Sequence, residues 1–284
     1  MKLSEIHIRD PFILTFENKY YLFGTPGKYS WEGVGGFFCS VSDDMEDWTE
    51  PAICFEIPKG FWATKNFWAP EVHVYKGKFY MFATFINDHT NRGTAILVAD
   101  SPMGPFRPHS DGAVTPKEWM CLDGTFHLDE DGQPWMVFCH EWVQIQDGTV
   151  CAIKLSDDLH HAISEPIELW KASDAPCVRH LGWNDEAFVT DGPFIFRHDG
   201  KLMSLWASFD ETGYIEVMAC SDNGRIDGNW SVDYPALLTG CDSGHGMLFT
   251  TFDGKRKFTC HHPNNDPMER PVIYSVDGLT FTKD

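Results

Sequence analysis

Five stretches of this chain repeat one pattern of apolar and polar positions. They read DPFILTFENKYYLFGT from Asp10, APEVHVYKGKFYMFAT from Ala69, DGTFHLDEDGQPWMVFCHE from Asp123, DGPFIFRHDGKLMSLWAS from Asp191 and GHGMLFTTFDGKRKFTCHH from Gly244. Each opens on a small or acidic residue, runs apolar, crosses a polar turn with Gly or Asn and often Lys, and runs apolar again. That pattern predicts strand, tight turn, strand. A second half follows each hairpin, as in GTAILVADSPMGPFRPH or YIEVMACSDNGRIDGNWSV. It carries an alternating strand, an Asp-rich turn and a short edge strand, the turn residues taking αL or Asx conformations at little cost. Helical periodicity is weak throughout. Four strands recurring at a period of about 50–60 residues predict an all-β protein, a five-bladed β-propeller. The repeats occupy nearly all 284 residues, so a single domain over 1–284 is expected. The longest irregular stretches, about 51–67, 110–120 and 173–189, are expected to wall a pocket, since long loops on a rigid scaffold tend to carry function.

Composition narrows the function classes. The chain is 43% hydrophobic and 14% aromatic, ample for a large core. A net charge of -20 makes nucleic acid an unfavourable partner and disfavours anionic substrates in the absence of a local basic pocket. Nine cysteines, scattered, with no CxxC pair and several inside apolar runs, read as buried free thiols rather than a disulfide framework or zinc site. MKLSEIHIRDPFIL lacks a signal-peptide core and no 18-residue apolar span exists, which predicts a cytoplasmic protein without a membrane partner.

The repeats also carry chemistry. Three of the five open on a carboxylate: Asp10, Asp123 and Asp191. In a propeller the starts of the innermost strands converge near the axis, so three carboxylates are expected in one small space. Like charges there disfavour one another, and at least one pKa should rise while another stays ordinary. That is the acid/base pair that glycoside hydrolysis requires. A lone Asp before Pro or Gly is common turn chemistry; three at repeat positions are not. Aromatic faces suit sugar C–H faces, and Trp68 (with Phe67 and Phe37 behind it) and Trp142 are the candidates. Glu71 and Glu141 are acids at inner-strand ends placed to bind hydroxyls. Arg270, in MERPVIY, is a lone basic residue near the fifth hairpin, a clamp for a hydroxyl or simply a salt bridge.

Arg9-Asp10-Pro11, Phe67-Trp68-Ala69-Pro70-Glu71, Leu122-Asp123-Gly124, Asp191-Gly192-Pro193 and Gly244-His245-Gly246, ordered one per blade over essentially the whole chain, resemble glycoside hydrolase family 43. The resemblance implies an inverting mechanism, with Asp10 as the general base and Asp123 as the carboxylate that raises and orients the acid. It implies that His245 lies on the axis beneath the pocket, in a water or calcium network. No cofactor is required; a structural calcium held through water near His245 is the only metal expected. One departure stands out. The family's acid is usually Glu in an EGP or EAP motif, and here the best-aligned residue is Asp191, one methylene shorter. Asp174, in Asp174-Ala175-Pro176, and Glu186, in Glu186-Ala187-Phe188, are the alternative acids. The resemblance implies a glycosidase releasing terminal sugars, α-L-arabinofuranose or β-D-xylose, from plant-type oligosaccharides. A non-catalytic carbohydrate-binding propeller is the alternative, and a β-galactosidase-type relative or a glycoside phosphorylase ranks lower.

Overall fold

The structure is a computed structural model, and it describes residues 1–26 and 35–284. Within them the strands form five four-stranded antiparallel sheets, each built from four consecutive strands. Blade one holds Ile8–Phe16, Lys19–Pro26, Gly36–Ser42 and Ala52–Glu56. Blade two holds Lys65–Tyr75, Lys78–Asn87, Thr90–Ala99 and Arg107–Ala113. Blade three holds Cys121–Leu128, Pro134–His140, Thr149–Lys154 and Ile167–Lys171. Blade four holds Asp191–His198, Lys201–Asp210, Gly213–Ser221 and Trp230–Ser231. Blade five holds Gly244–Thr250, Arg256–His262, Arg270–Asp277 and Thr280–Lys283. The first strand of each blade packs against that of the next all the way round, which makes these strands the inner wall of a five-bladed β-propeller.

Apolar faces of adjacent blades make the core. Phe23, Phe37, Phe55, Phe67 and Phe85 pack between blades one and two, and Trp206, Val217 and Val150 between blades three and four. All nine cysteines are free and seven are buried, in line with the apolar runs that contain them. Among the described residues no strand is shared between the first and last blades. The ring closes through side chains instead: Arg9 donates to Glu269 (3.0 Å) and Asn264 (2.8 Å) of blade five, and Arg270 donates to the Ser4 carbonyl (3.1 Å).

Each inner strand breaks register near its start. At each break one residue has positive φ: Asp10 (50°), Ala69 (42°), Asp123 (55°), Gly192 (48°) and His245 (55°). A bulge of this kind turns a side chain out of the sheet, and four of the five residues adopt it without glycine's freedom. The strain is held by a ring of hydrogen bonds in which each blade receives an N–H of the next blade's bulge. His261 Nδ1 accepts from Asp10 N (3.2 Å), Thr25 Oγ1 from Ala69 N (2.7 Å) and Thr84 Oγ1 from Asp123 N (2.8 Å). Asp123 Oδ2 accepts from Gly192 N (3.1 Å), and Glu216 Oε2 from Gly246 N (3.2 Å). Leaving such a buried N–H without a partner costs about 1–3 kcal/mol, so the ring fixes the angle at which each blade meets the axis.

The bulges correct the repeat alignment at one point. Asp10, Asp123 and His245 occupy equivalent positions, but Asp191 does not; its equivalents are Arg9, Trp68, Leu122 and Gly244, one residue earlier. The first two irregular stretches are also shorter than their sequence suggests. Ala52–Glu56 is an edge strand inside the first, and the edge strand Arg107–Ala113 runs into the start of the second.

Candidate active site

The bulges surround the end of a cavity of about 640 Å³ on the propeller axis. Asp10, Asp123, Asp191 and His245 all line it, so the three carboxylates and the histidine of the sequence motifs do meet in one space. His245 Nδ1 lies 3.2 Å from Asp10 Oδ1 and 3.8 Å from Asp123 Oδ2. Its ring rests on the backbone of Gly192, where an added Cβ would fall 2.5 Å from His245 Cδ2. At that bulge both the positive φ and the close approach require glycine.

The carboxylates stand in contrasting surroundings. Burial would raise Asp10, but His245 and Arg9, together with the Thr25 hydroxyl donating to Oδ2 at 2.6 Å, outweigh it and hold the group below its ordinary value. Burial pushes Asp123 up to about 8, with the neighbouring Asp191 and Asp10 adding to the rise against His245 and the Gly192 N–H. Burial also raises Asp191, opposed by His245 and by the Tyr214 hydroxyl, which donates to Oδ2 at 2.9 Å. Asp123 and Asp191 are thus both held above the ordinary carboxylate range, burial being the main cause in each. His245 is desolvated yet raised, because the surrounding carboxylates outweigh burial and favour its cation. His261 is pushed down to about 3 by burial and by Arg9, which keeps it neutral and leaves Nδ1 free to accept from Asp10 N.

Trp68, Glu141 and Trp142 also reach the cavity. The Arg92 guanidinium lies 4.4 Å from the centre of the Trp68 ring, pairs with Glu141 and bonds Asn66 Oδ1, so it holds the indole from one face. Other residues named from sequence do not reach it. Glu71 is buried within blade two, its Oε2 accepting from Thr125 Oγ1 (2.6 Å) and facing His73 (3.0 Å), and supports the inner wall. Asp174 is exposed and accepts from the Lys171 N–H in a short 3-10 turn; Glu186 is exposed and accepts from Gln146 Nε2. Neither lines the cavity as an acid would have to. Arg270 is spent on the Ser4, Pro267 and Glu269 carbonyls and on His7, and belongs to ring closure. Of the three irregular stretches only the last contributes, through Leu181, Trp183 and Val189.

The cavity also contains Arg9, Arg92, Tyr214, Trp183 and the 264–266 segment of blade five, none of which the repeat singled out. Of these only Arg9 carries a sequence signal, adjoining Asp10 in the first motif. The donors do not fit a directly ligated metal: His245 Nδ1 is engaged by two carboxylates, and among the described residues no group of three or more His, Cys, Asp or Glu is disposed to hold an ion.

Comparison with known proteins follows the same lines. The family model described as Glycosyl hydrolases family 43 matches residues 3–277. An endo-arabinase from Bacteroides thetaiotaomicron superposes with a TM-score of 0.90 at 38% identity, over 98% of this chain and 96% of that one. By sequence the chain is similar to an extracellular endo-alpha-(1->5)-L-arabinanase from Bacillus subtilis, 23% identical over 149 residues, 49% of this chain and 45% of that protein. It is similar to a xylosidase/arabinosidase from Humicola insolens, 22% identical over 152 residues, 49% of this chain and 46% of that protein. These matches span about half the length of the two curated relatives.

Proposed function

From the premise that the chain belongs to glycosyl hydrolases family 43, we propose that it hydrolyses glycosidic bonds of plant-type oligosaccharides with inversion, and that its sugar is α-L-arabinofuranose, with β-D-xylose second. The observation that carries the reading is the opposite tuning of carboxylates in one cavity, Asp10 held down and the Asp123/Asp191 pair held up. In this reading Asp10 takes a proton from water as the water attacks the anomeric carbon. Asp191 gives a proton to the departing oxygen, and Asp123, through its bond to the N–H of the adjoining Gly192, sets the position of Asp191. His245 keeps Asp10 ionised. Trp68 offers its face to the sugar. The arabinose preference is supported by the solved relative at 38% identity and by the curated arabinanase.

Terminal release is the leading mode. Internal cleavage is the second reading, favoured by the endo-acting relatives. The test is hydrolysis of nitrophenyl α-L-arabinofuranoside, β-D-xyloside and β-D-galactoside, with Asp10→Asn as control and product lengths from linear oligosaccharides read alongside. Turnover of the arabinofuranoside, lost in the variant, and early appearance of monosaccharide support the proposal. No turnover of any of these substrates, with oligosaccharide binding intact, would favour a binding propeller without catalysis.

A further inference from the structure

Trp183 is the most exposed large apolar side chain among the described residues, at 73%, and yet it lines the cavity. Its loop is well built. The Leu181 N–H bonds the Ala187 carbonyl (2.9 Å), and the Asn184 and Ala187 N–H groups close turns onto Leu181 and Asn184. The neighbouring loop, which holds the short helix Trp142–Ile145, is tied to it: Phe188 N donates to the Gln146 carbonyl (3.0 Å) and Gln146 Nε2 to Glu186 Oε2 (2.9 Å). The two loops bring Trp142 and Trp183 together edge to face, with ring centres 5.6 Å apart. Exposed Val143 extends the same rim. From blade five the mouth is completed by exposed Asn265 and Asp266, which offer amide and carboxylate oxygens. Both arginines of the cavity are already ion-paired, Arg9 to Glu269 and Arg92 to Glu141.

A mouth with an aromatic rim, a polar and acidic contribution and no uncommitted arginine fits a neutral sugar that sets a C–H face on the indoles and turns hydroxyls to blade five. We propose that the Trp142–Trp183 rim is a binding platform for sugar units beyond the one held at the carboxylates, so that the site takes neutral oligosaccharides in preference to short glycosides. The inference rests on the hydrolase reading for its place in catalysis, but not for the binding itself.

The test pairs kinetics with calorimetry on Trp183→Ala and Trp183→Phe. An indole this exposed leaves no core void when truncated, and its turn is held by backbone bonds, so both variants are expected to fold. For arabino-oligosaccharides of two to five units, kcat/KM of the wild type should climb with length. In Trp183→Ala the ratio of the four-unit substrate to the nitrophenyl glycoside should fall about tenfold, as expected from losing one stacked ring. Trp183→Phe should recover part of that loss. An unchanged ratio, or equal loss on short and long substrates, would overturn the platform. Calorimetric titration of the same neutral oligosaccharides, and of uronate-containing ones, reads the proposal even if no glycoside turns over. Affinity that grows with length and weakens in Trp183→Ala, with uronates bound more weakly, supports it, and length-independent affinity sinks it.

Discussion

Asp10 and Asp123 sit at the same position of the repeat, with nearly the same backbone twist, and yet they lie on opposite sides of the ordinary carboxylate pKa. The difference comes from the residue before each and from the blade behind each. Arg9 precedes Asp10, and Thr25 and His245 face it, so the carboxylate has a cation or donor on several sides. Leu122 precedes Asp123, and burial dominates there: His245, farther off at 3.8 Å, does not outweigh it, and Asp191 and Asp10 add to the rise. A single bulge geometry thus supplies two chemistries, and the neighbours decide which. Tuning by environment rather than residue type is how one site assembles a base and an acid at one pH.

The contrast can be broken at four places, in descending order of effect. Asp10→Asn removes the group held ionised. Activity on every glycoside should fall by about 10³-fold or more, irrespective of leaving group, because no neighbouring base replaces it. Rates across a series of leaving groups check this, and selective loss on poor leaving groups would assign Asp10 to the other role. Asp191→Asn should do the reverse, costing about 10²–10⁴-fold on natural linkages and far less on activated nitrophenyl glycosides.

Tyr214→Phe sharpens the comparison more gently. The hydroxyl donates to Asp191 and so stabilises its anion; without it the pKa of Asp191 rises further, and the alkaline limb of kcat/KM moves to higher pH, with a loss of about tenfold on poor leaving groups from looser positioning. A full pH profile on both classes of glycoside separates this from a structural defect, which would lower the whole curve without shifting it.

The smallest effect is on stability. A carboxyl whose folded pKa is raised destabilises the fold above its unfolded value of about 4, and the cost is complete above the folded value. Asp123→Asn should therefore unfold later than wild type at pH 8–9, by about 1–3 kcal/mol, and show no advantage near pH 4. For Asp10 the sign is opposite: its depressed pKa contributes stability above the unfolded value, lost as pH falls through the folded one, so Asp10→Asn should lower stability at neutral pH. Thermal unfolding of both variants across that range is the check.

The fold and the centre of the site were legible in the chain because both are repeated. Five hairpins of one grammar make five blades, and Asp10, Asp123 and Asp191 stand out as carboxylates at repeat starts, while His245 is marked only by the family resemblance. The one-residue offset of Asp191 is not legible, since the bulge there is carried by Gly192, whose need for space beside His245 is a tertiary fact. Arg92, Tyr214 and Trp183 come from third strands and a loop, where no repeat position marks them. Glu71 and Arg270 misled for a related reason: a charged residue in a motif or near a hairpin looks available, and sequence does not show that Thr125 and His73, or the carbonyls of Ser4 and Pro267, already occupy it.

The most direct test is the titration of the carboxyl carbons by ¹³C NMR, with Asp10→Asn and Asp191→Asn used to assign the signals. The account predicts that Asp10 stays ionised to below the usual carboxylate range while the Asp123/Asp191 pair keeps a proton to near or above neutral pH. A pair that loses its proton in the ordinary range, or an Asp10 that titrates above it, would contradict the division of labour on which the proposed chemistry depends.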